Sequence, residues 1–306
     1  MDPLQLAHDF FRSRRRDSWV PGYLAGRGFP EHVQRRFELG YAPPHWRTVV
    51  ELLRSRGLSD DRIVETGLVR RSRHGRLYDH FRDRVMFPIR DPYGRIAGFI
   101  GRTADDVGGP RYLNCPDTER FHKGALLYTL PTARPARPVL VEGPLDALAV
   151  RLTGVPAAAP CGTRLTAEQA AMLGDDVLVA MDGDPAGRRG AVQAWEHLAS
   201  LPGRIGAVVL PAGRDPADLL RDGGLDAVRL ALRAEIPLAD LVTDAAIDRH
   251  HLRFVEGQIA AARAAAHVIA RMRPDQVARQ VARTAQRLGF APADVTAYVV
   301  ESLAGM

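Results

Sequence analysis

The chain of 306 residues is 46% hydrophobic and 25% charged, which supplies a sizeable core divided among two or three subdomains and excludes disorder at scale. No apolar run approaches the roughly eighteen residues that cross a bilayer, and the N-terminus is too polar for a secretory signal, so the expected setting is cytoplasmic with no membrane partner. The formal charge of +6 fits a polyanionic partner, although the abundance of Ala, Arg and Gly explains part of the basic bias.

Residues 1–70 read as helical pieces joined by short turns. Leu4, Leu6, Ala7, Phe10 and Phe11 make an amphipathic face, and the basic run Arg12–Arg16 follows it. Gly28 ends one helix and Pro43-Pro44 breaks another. Helical spacing restarts over Trp46–Leu53 and closes at Gly57, and a short helix over Asp60–Thr66 leads to Gly67-Leu68-Val69.

From Tyr78 to Leu130 the pattern turns β-rich. Val85–Ile89 and Ile96–Ile100 flank Asp91-Pro92-Tyr93-Gly94, a hairpin with Pro and Gly where a turn wants them. Arg102, Arg111 and Lys123 then place three cations on turns beside one sheet. The two cysteines, Cys115 and Cys161, come with no Cys-x-x-Cys spacing and no nearby histidine pair, so no zinc is expected.

After the Pro-rich link 131–138, Val139-Leu140-Val141 stops on Glu142-Gly143, with Asp146 one helical turn further on. A helix over Leu145–Leu152 returns the chain to a second run, Val155–Ala159. Thr166-Ala-x-Gln169 resembles a capping box opening a helix over Ala167–Leu173. Val177–Met181 stops on Asp182-Gly183-Asp184, a helix follows over Gly187–Leu201, and Ile205–Leu210 is a fourth strand. Short β-branched runs separated by helices read as parallel strands buried on both faces, an α/β arrangement that holds ligands at the carboxyl ends of its strands. Asp215 and Asp218 read locally as the cap and start of another helix. Residues 221–306 read as a helical bundle: Leu225–Leu232, Ala239–Ala246, Phe254–Ala270, Pro274–Leu288 and Ala293–Leu303.

Asp182 and Asp184 leave the same face of an extended backbone, and Gly183 keeps bulk out between them. With Glu142 on a neighbouring strand, three carboxylates meet in one small volume. Two such charges ~4 Å apart repel by about 4 kcal/mol at an effective dielectric near 20, so bound cations or protons must offset them. An all-oxygen donor set favours Mg²⁺ or Mn²⁺ over zinc.

Glu142-Gly143-x-x-Asp146 and Asp182-Gly183-Asp184-x-Ala186-Gly187 resemble the TOPRIM domain of bacterial primases, topoisomerases and some nucleases. Tyr23-Leu-x-x-Arg27-Gly28, Phe37-x-Leu39-Gly40-Tyr41-Ala42, Tyr78-Asp79-x-Phe81-Arg82-x-Arg84-Val85-Met86-Phe87-Pro88-Ile89, Gly101-Arg102, Arg111-Tyr112-Leu113-Asn114 and Phe121-x-Lys123 are similar to the N-terminal half of DnaG-type bacterial primase cores. The resemblance implies a mixed α+β N-terminal subdomain with a basic ridge over 1–130, a central TOPRIM parallel sheet over 139–220 and a C-terminal helical subdomain over 221–306. It implies synthesis of RNA primers on a single-stranded DNA template from nucleoside triphosphates, assisted by two or more Mg²⁺ or Mn²⁺ ions. Glu142, Asp182 and Asp184 would be catalytic and, with Asp146 and Asp215, hold the metal, while Arg102, Arg111, Asn114 and Lys123 would bind nucleotide or template phosphates. A replicative helicase, or a separate zinc-binding or helicase-binding module, would be a further partner.

Three departures stand out. Arg111 replaces the family's usual Lys, Cys115 its Ser, and Ala217 the second Asp of a third acidic motif whose first Asp is Asp215. Two other readings compete: a TOPRIM nuclease using the same carboxylates for hydrolysis, and a non-catalytic single-strand binding module.

Overall fold

The computed structural model describes residues 2–104, 109–129 and 137–305, so most of the Pro-rich link, 131–136, lies outside the described residues. The chain forms two compact units. One comprises Met1–Arg134, Gly143–Thr163 and Pro216–Val228, and the other Pro135–Glu142, Arg164–Asp215 and Arg229–Met306.

The first unit is built on an antiparallel sheet in the spatial order Gly40–Ala42, Arg84–Arg90, Ile96–Arg102, Tyr112–Asn114. The expected hairpin is its centre, with Val85 opposite Arg102 and Phe87 opposite Ile100. The turn closes by Asp91 N–H donating to Arg95 O at 2.9 Å, with Gly94 at φ 79°. The helix Pro3–Arg15 buries Leu4, Ala7 and Phe11 against this sheet, where the Phe11 ring meets Phe99 edge-on at 5.4 Å. Gly40 is required by that contact, since a Cβ there would stand 2.6 Å from Phe11 Cβ. Gly40–Ala42 falls in the stretch expected to hold helical pieces and short turns, and it is a strand. Its β partner, Arg84–Arg90, lies about forty residues on, so no local pattern announces it.

Trp46 likewise falls outside the helix it seemed to open, which runs Thr48–Arg54 and is capped from outside by the buried Asp79 carboxylate, accepting from Val49 N (2.8 Å) and Val50 N (3.0 Å). Elsewhere in this unit Leu127–Tyr128 pairs antiparallel with Ala157–Pro160, beside the helix Pro144–Leu152.

The second unit carries the parallel strands. Val139–Leu140, Val177–Val179 and Ile205–Val208 run parallel and are buried throughout, as continuous apolar runs predict. An antiparallel edge strand, Glu235–Pro237, joins Ile205–Val208 and makes the sheet mixed. No local pattern marks this strand, because the segment is three residues long and flanked by helix formers. Glu235 is held by Arg137 (2.5 Å) and Arg204 (3.0 Å), and the Arg137 hydrogen bond, foremost, keeps its carboxyl below the usual carboxylate range.

Thr166 and Gln169 form the anticipated capping box, both bonds at 3.1 Å. The helix Pro185–Leu198 buries Ala191, Ala194, Trp195 and Leu198. Beyond the edge strand, Leu238–Ile247, Val255–Ile269, Pro274–Leu288 and Pro292–Ala304 pack together, with Ala261, Ala262 and Ala265 allowing close approach. An ionic ladder joins two of these helices: Arg279 forks onto Asp240 (2.6 and 2.7 Å), Arg283 reaches Asp244, and Arg287 reaches Asp244 and Asp248. Burial opposes ionisation of Asp240, but the Arg279 and Gln280 hydrogen bonds overcome it and hold its carboxyl below the usual range. No helix among the described residues is long and apolar enough to cross a membrane.

Candidate active site

In the second unit, parallel pairing of Leu178 with Val139 and of Val179 with Leu140 brings the ends of two strands level. Ala180 N–H continues the ladder onto Leu140 O at 2.8 Å, and Asp182 N–H then donates to Glu142 Oε1 at 3.1 Å. Glu142 therefore sits against the Asp182 backbone. Burial pushes the Glu142 carboxyl up, and the charges of Asp184 and Asp215 push it further, against the pull of the Asp182 N–H. Glu142, Asp182, Asp184 and Asp215 thus form one acidic group within this unit.

Glycines make the group possible. Gly183 N–H donates to Arg214 O and Gly183 O accepts from Gly213 N–H, both at 2.8 Å, so the turn carrying Asp182 and Asp184 is tied to the one that ends at Asp215. A Cβ on Gly183 would lie 2.0 Å from Pro211 O, and one on Gly187 would lie 2.2 Å from Asp182 O. Asp184 combines two features: it is the N-cap of Pro185–Leu198, its Oδ1 accepting from Gly187 N at 2.7 Å, and it is exposed. Capping uses one carboxylate oxygen and leaves the other to face solvent. Four carboxylates, no nitrogen or sulfur donor, and mutual repulsion that raises Glu142 all suit a hard divalent cation.

Asp146, in the first unit, lies in the first turn of Pro144–Leu152, buried, with Oδ1 accepting from Ala217 N at 3.2 Å. It therefore fixes the start of the helical segment that opens at Pro216 and kinks at Gly224, a role the sequence did not suggest. Gly143 precedes that turn, and a Cβ there would stand 3.1 Å from Asp146 Oδ2 and 3.6 Å from the Tyr112 hydroxyl.

The basic residues of the first unit divide by exposure. Arg111 and Lys123 are exposed. Arg102 is not on a turn: it ends the strand Ile96–Arg102, is 2% exposed, and its guanidinium lies 5.2 Å from the Tyr23 ring and 5.5 Å from the Tyr112 ring. Arg84, also buried, donates to the carbonyls of Gly101 (3.2 Å), Pro110 (3.1 Å) and Arg111 (3.2 Å) and so fixes the segment that presents Arg111. Asn114 O is 2.9 Å from His80 Nε2, and burial keeps that imidazole below its ordinary pKa.

Two features escaped the sequence reading. Arg27 stacks on Tyr23 at 5.1 Å, on the ring that also meets Arg102. Trp46 is 61% exposed with the Arg82 guanidinium 4.0 Å from its centre and Tyr78 beside it at 5.9 Å, an aromatic and cationic surface of the kind that takes unstacked bases. An aromatic followed by Arg47 and preceded by a Pro-Pro break was the available signal.

Strands ending on Glu142 and on Asp182-Gly183-Asp184 define the class, a TOPRIM-like carboxylate site. Comparison with known proteins agrees: the family described as Toprim-like matches residues 139–220, and the DNA primase catalytic core N-terminal domain matches residues 9–134. The DNA primase of Deinococcus radiodurans is 38% identical over 268 residues, 83% of this chain and 46% of that protein, so the chain spans about half the length of such relatives. A DNA primase domain from Pseudomonas aeruginosa superimposes with a TM-score of 0.82 at 32% identity, covering 97% of this chain and 98% of that one. A DnaG primase catalytic domain bound to ssDNA gives 0.78 at 30%, covering 95% and 98%. The chain belongs to the family of DnaG primase catalytic cores.

Proposed function

We propose that this chain is a DNA primase catalytic core, a DNA-dependent RNA polymerase that makes short primers on single-stranded DNA. The observation that carries the reading is the convergence of Glu142, Asp182, Asp184 and Asp215 at the ends of adjacent strands, in a member of this family. Divalent cations, Mg²⁺ or Mn²⁺ and two or more of them, would be held by these carboxylates, with Asp146 added from the family motif. When bound, such ions neutralise charge on the transferring phosphate and ease deprotonation of the attacking hydroxyl.

The reaction joins a 3′-hydroxyl to the α-phosphate of a nucleoside triphosphate and expels pyrophosphate. Glu142, whose carboxyl pKa burial and the charges of Asp184 and Asp215 push up, is suited either to ligate or to accept the hydroxyl proton. Arg111, Asn114 and Lys123 would contact triphosphate or template phosphates. Arg102, being buried between two tyrosines, would act by positioning Tyr23 and Tyr112. Trp46, Tyr78 and Arg82 would stack and steer the template strand.

On this reading the three functional segments are 1–130, 139–220 and 221–306, and the compartment is the cytoplasm. A replicative helicase and a zinc-binding or helicase-binding module enter as partners on the strength of the family alone. The test supplies ssDNA, Mn²⁺ or Mg²⁺ and labelled nucleoside triphosphates. Short RNA products that vanish in Asp182→Asn are expected; metal-dependent cleavage with no product on any template would favour a nuclease.

A further inference from the structure

A second charged feature lies in the first unit, lined by none of the candidate site residues named above. A cavity of about 260 Å³ is lined by Arg36, Glu38, Arg90, Thr129 and Arg151, with Phe37 as one wall. Its charges do not balance. Glu38 is paired with Arg90 and stands 3.7 Å from Arg12, and Asp91 at the rim is 2.8 Å from Arg95. Among the described residues neither Arg36 nor Arg151 forms an ion pair; both guanidinium groups lie 5.5 Å from the centre of the Phe37 ring. Burial depresses the pKa of Arg151, and the like charge of Arg36 adds to this, against the opposing influence of Tyr128.

Backbone strain collects at the same place. Of the three non-glycine residues with positive φ among the described residues, two line this cavity: Glu38 at 54° and Thr129 at 64°. For a β-branched residue such as threonine that region is a true outlier, which persists only where surrounding bonds over-determine it. They do so here. Thr129 Oγ1 donates to Ala157 O at 2.7 Å, Thr129 O accepts from Arg151 Nη1 at 3.1 Å, and Glu38 O lies 3.2 Å from His8 Nε2. Thr129, held in this conformation, presents the carbonyl that aims the Arg151 guanidinium from the helix Pro144–Leu152.

We propose that this cavity is an oxyanion site that takes a phosphate-type group between Arg36 and Arg151. Two guanidinium forks in one place match the oxygens of a phosphate, and a nearby like charge becomes favourable once a dianion sits between them. The volume admits phosphate or pyrophosphate but is below the roughly 300–1,000 Å³ of sites that enclose drug-sized molecules. The phosphate group can come from a free anion or from a nucleic-acid backbone.

The test is calorimetric titration of pyrophosphate into the full chain with a chelator present, so that the carboxylate site takes no part, together with anisotropy of a labelled single-stranded oligonucleotide. Arg36→Gln and Arg151→Gln are expected to weaken binding by about tenfold or more, as loss of a charged hydrogen bond requires, while Arg263→Gln, the same charge change on an exposed residue elsewhere, leaves it unchanged. Arg36 is exposed, so its variant keeps the fold even if Arg151→Gln does not. Loss confined to pyrophosphate identifies a free anion as the ligand, and loss confined to the oligonucleotide identifies a backbone phosphate. Undiminished binding of both ligands in Arg36→Gln, or no binding of either by the parent chain, overturns the proposal. No turnover is measured, so this outcome and that of the primer assay are independent.

Discussion

Replacing Gly183 by alanine should disturb the carboxylate site although the change adds a single methyl group. The added Cβ would lie 2.0 Å from Pro211 O, 2.8 Å from Pro211 C and 2.9 Å from Leu210 O, all backbone atoms that cannot rotate away. Relief requires the two turns to separate, which breaks the bonds from Gly183 N to Arg214 O and from Gly213 N to Gly183 O. Two backbone hydrogen bonds at about 0.5–1.5 kcal/mol each, with part of an overpacking strain of about 1–3 kcal/mol, give a loss of roughly 2–4 kcal/mol.

The same separation moves Asp182 and Asp184 away from Asp215, so Mn²⁺ affinity should fall with stability. Gly190→Ala is the contrast. Its Cβ would meet nothing closer than 3.9 Å, and it lies inside the helix Pro185–Leu198, so it should stabilise by about 0.5–1 kcal/mol. Urea unfolding and Mn²⁺ titration of both variants decide the matter. A Gly183→Ala protein with parental midpoint and parental Mn²⁺ affinity would refute the reasoning.

Asp184→Asn keeps an oxygen for Gly187 N–H but loses the charge, so stability should stay within about 0.5 kcal/mol of the parent while Mn²⁺ binding and primer synthesis collapse; Asp184→Ala should cost about 1 kcal/mol as well. Asp240→Ala should destabilise by about 2–4 kcal/mol: the Arg279 side chain is 54% exposed and can return to water, but the buried Gln280 amide is left without its acceptor. The folded pKa of Asp240 lies below its ordinary 3.8, so the stability it contributes is complete above that value and drains away as pH falls through the lower folded value. Melting curves taken from neutral pH into that acid window should show a smaller acid loss for Asp240→Asn than for the parent, and equal losses would contradict the ladder's role. Trp46→Ala should leave the melting midpoint nearly unchanged, because the ring is 61% exposed, yet weaken ssDNA binding by about 1–3 kcal/mol, the worth of one stacked base; unaltered affinity in an anisotropy titration would remove Trp46 from the template path.

What the sequence disclosed was whatever is local. The hairpin around Asp91–Arg95, the capping box of Thr166 and Gln169, and the strand Val177–Val179 that leads to Asp182-Gly183-Asp184 are each encoded within a few residues. Gly40–Ala42 and Glu235–Pro237 depend on partners distant in sequence or on an edge position, and three residues carry too little periodicity to be seen. Arg102 misled for a related reason: a charged residue at the end of a strand reads as solvent-exposed, and its burial beside Tyr23 and Tyr112 depends on side chains brought from elsewhere in the sequence. The ladder was legible in principle, since Asp240, Asp244 and Asp248 share a spacing of four with Arg279, Arg283 and Arg287.

An anomalous difference map at the manganese edge, from crystals soaked in Mn²⁺ and a nucleoside triphosphate, bears most directly on the carboxylate site. Density bounded by Glu142, Asp182 and Asp184 is expected. Manganese bound elsewhere, at the Asp240–Asp248 ladder for example, with none among those three, would contradict it.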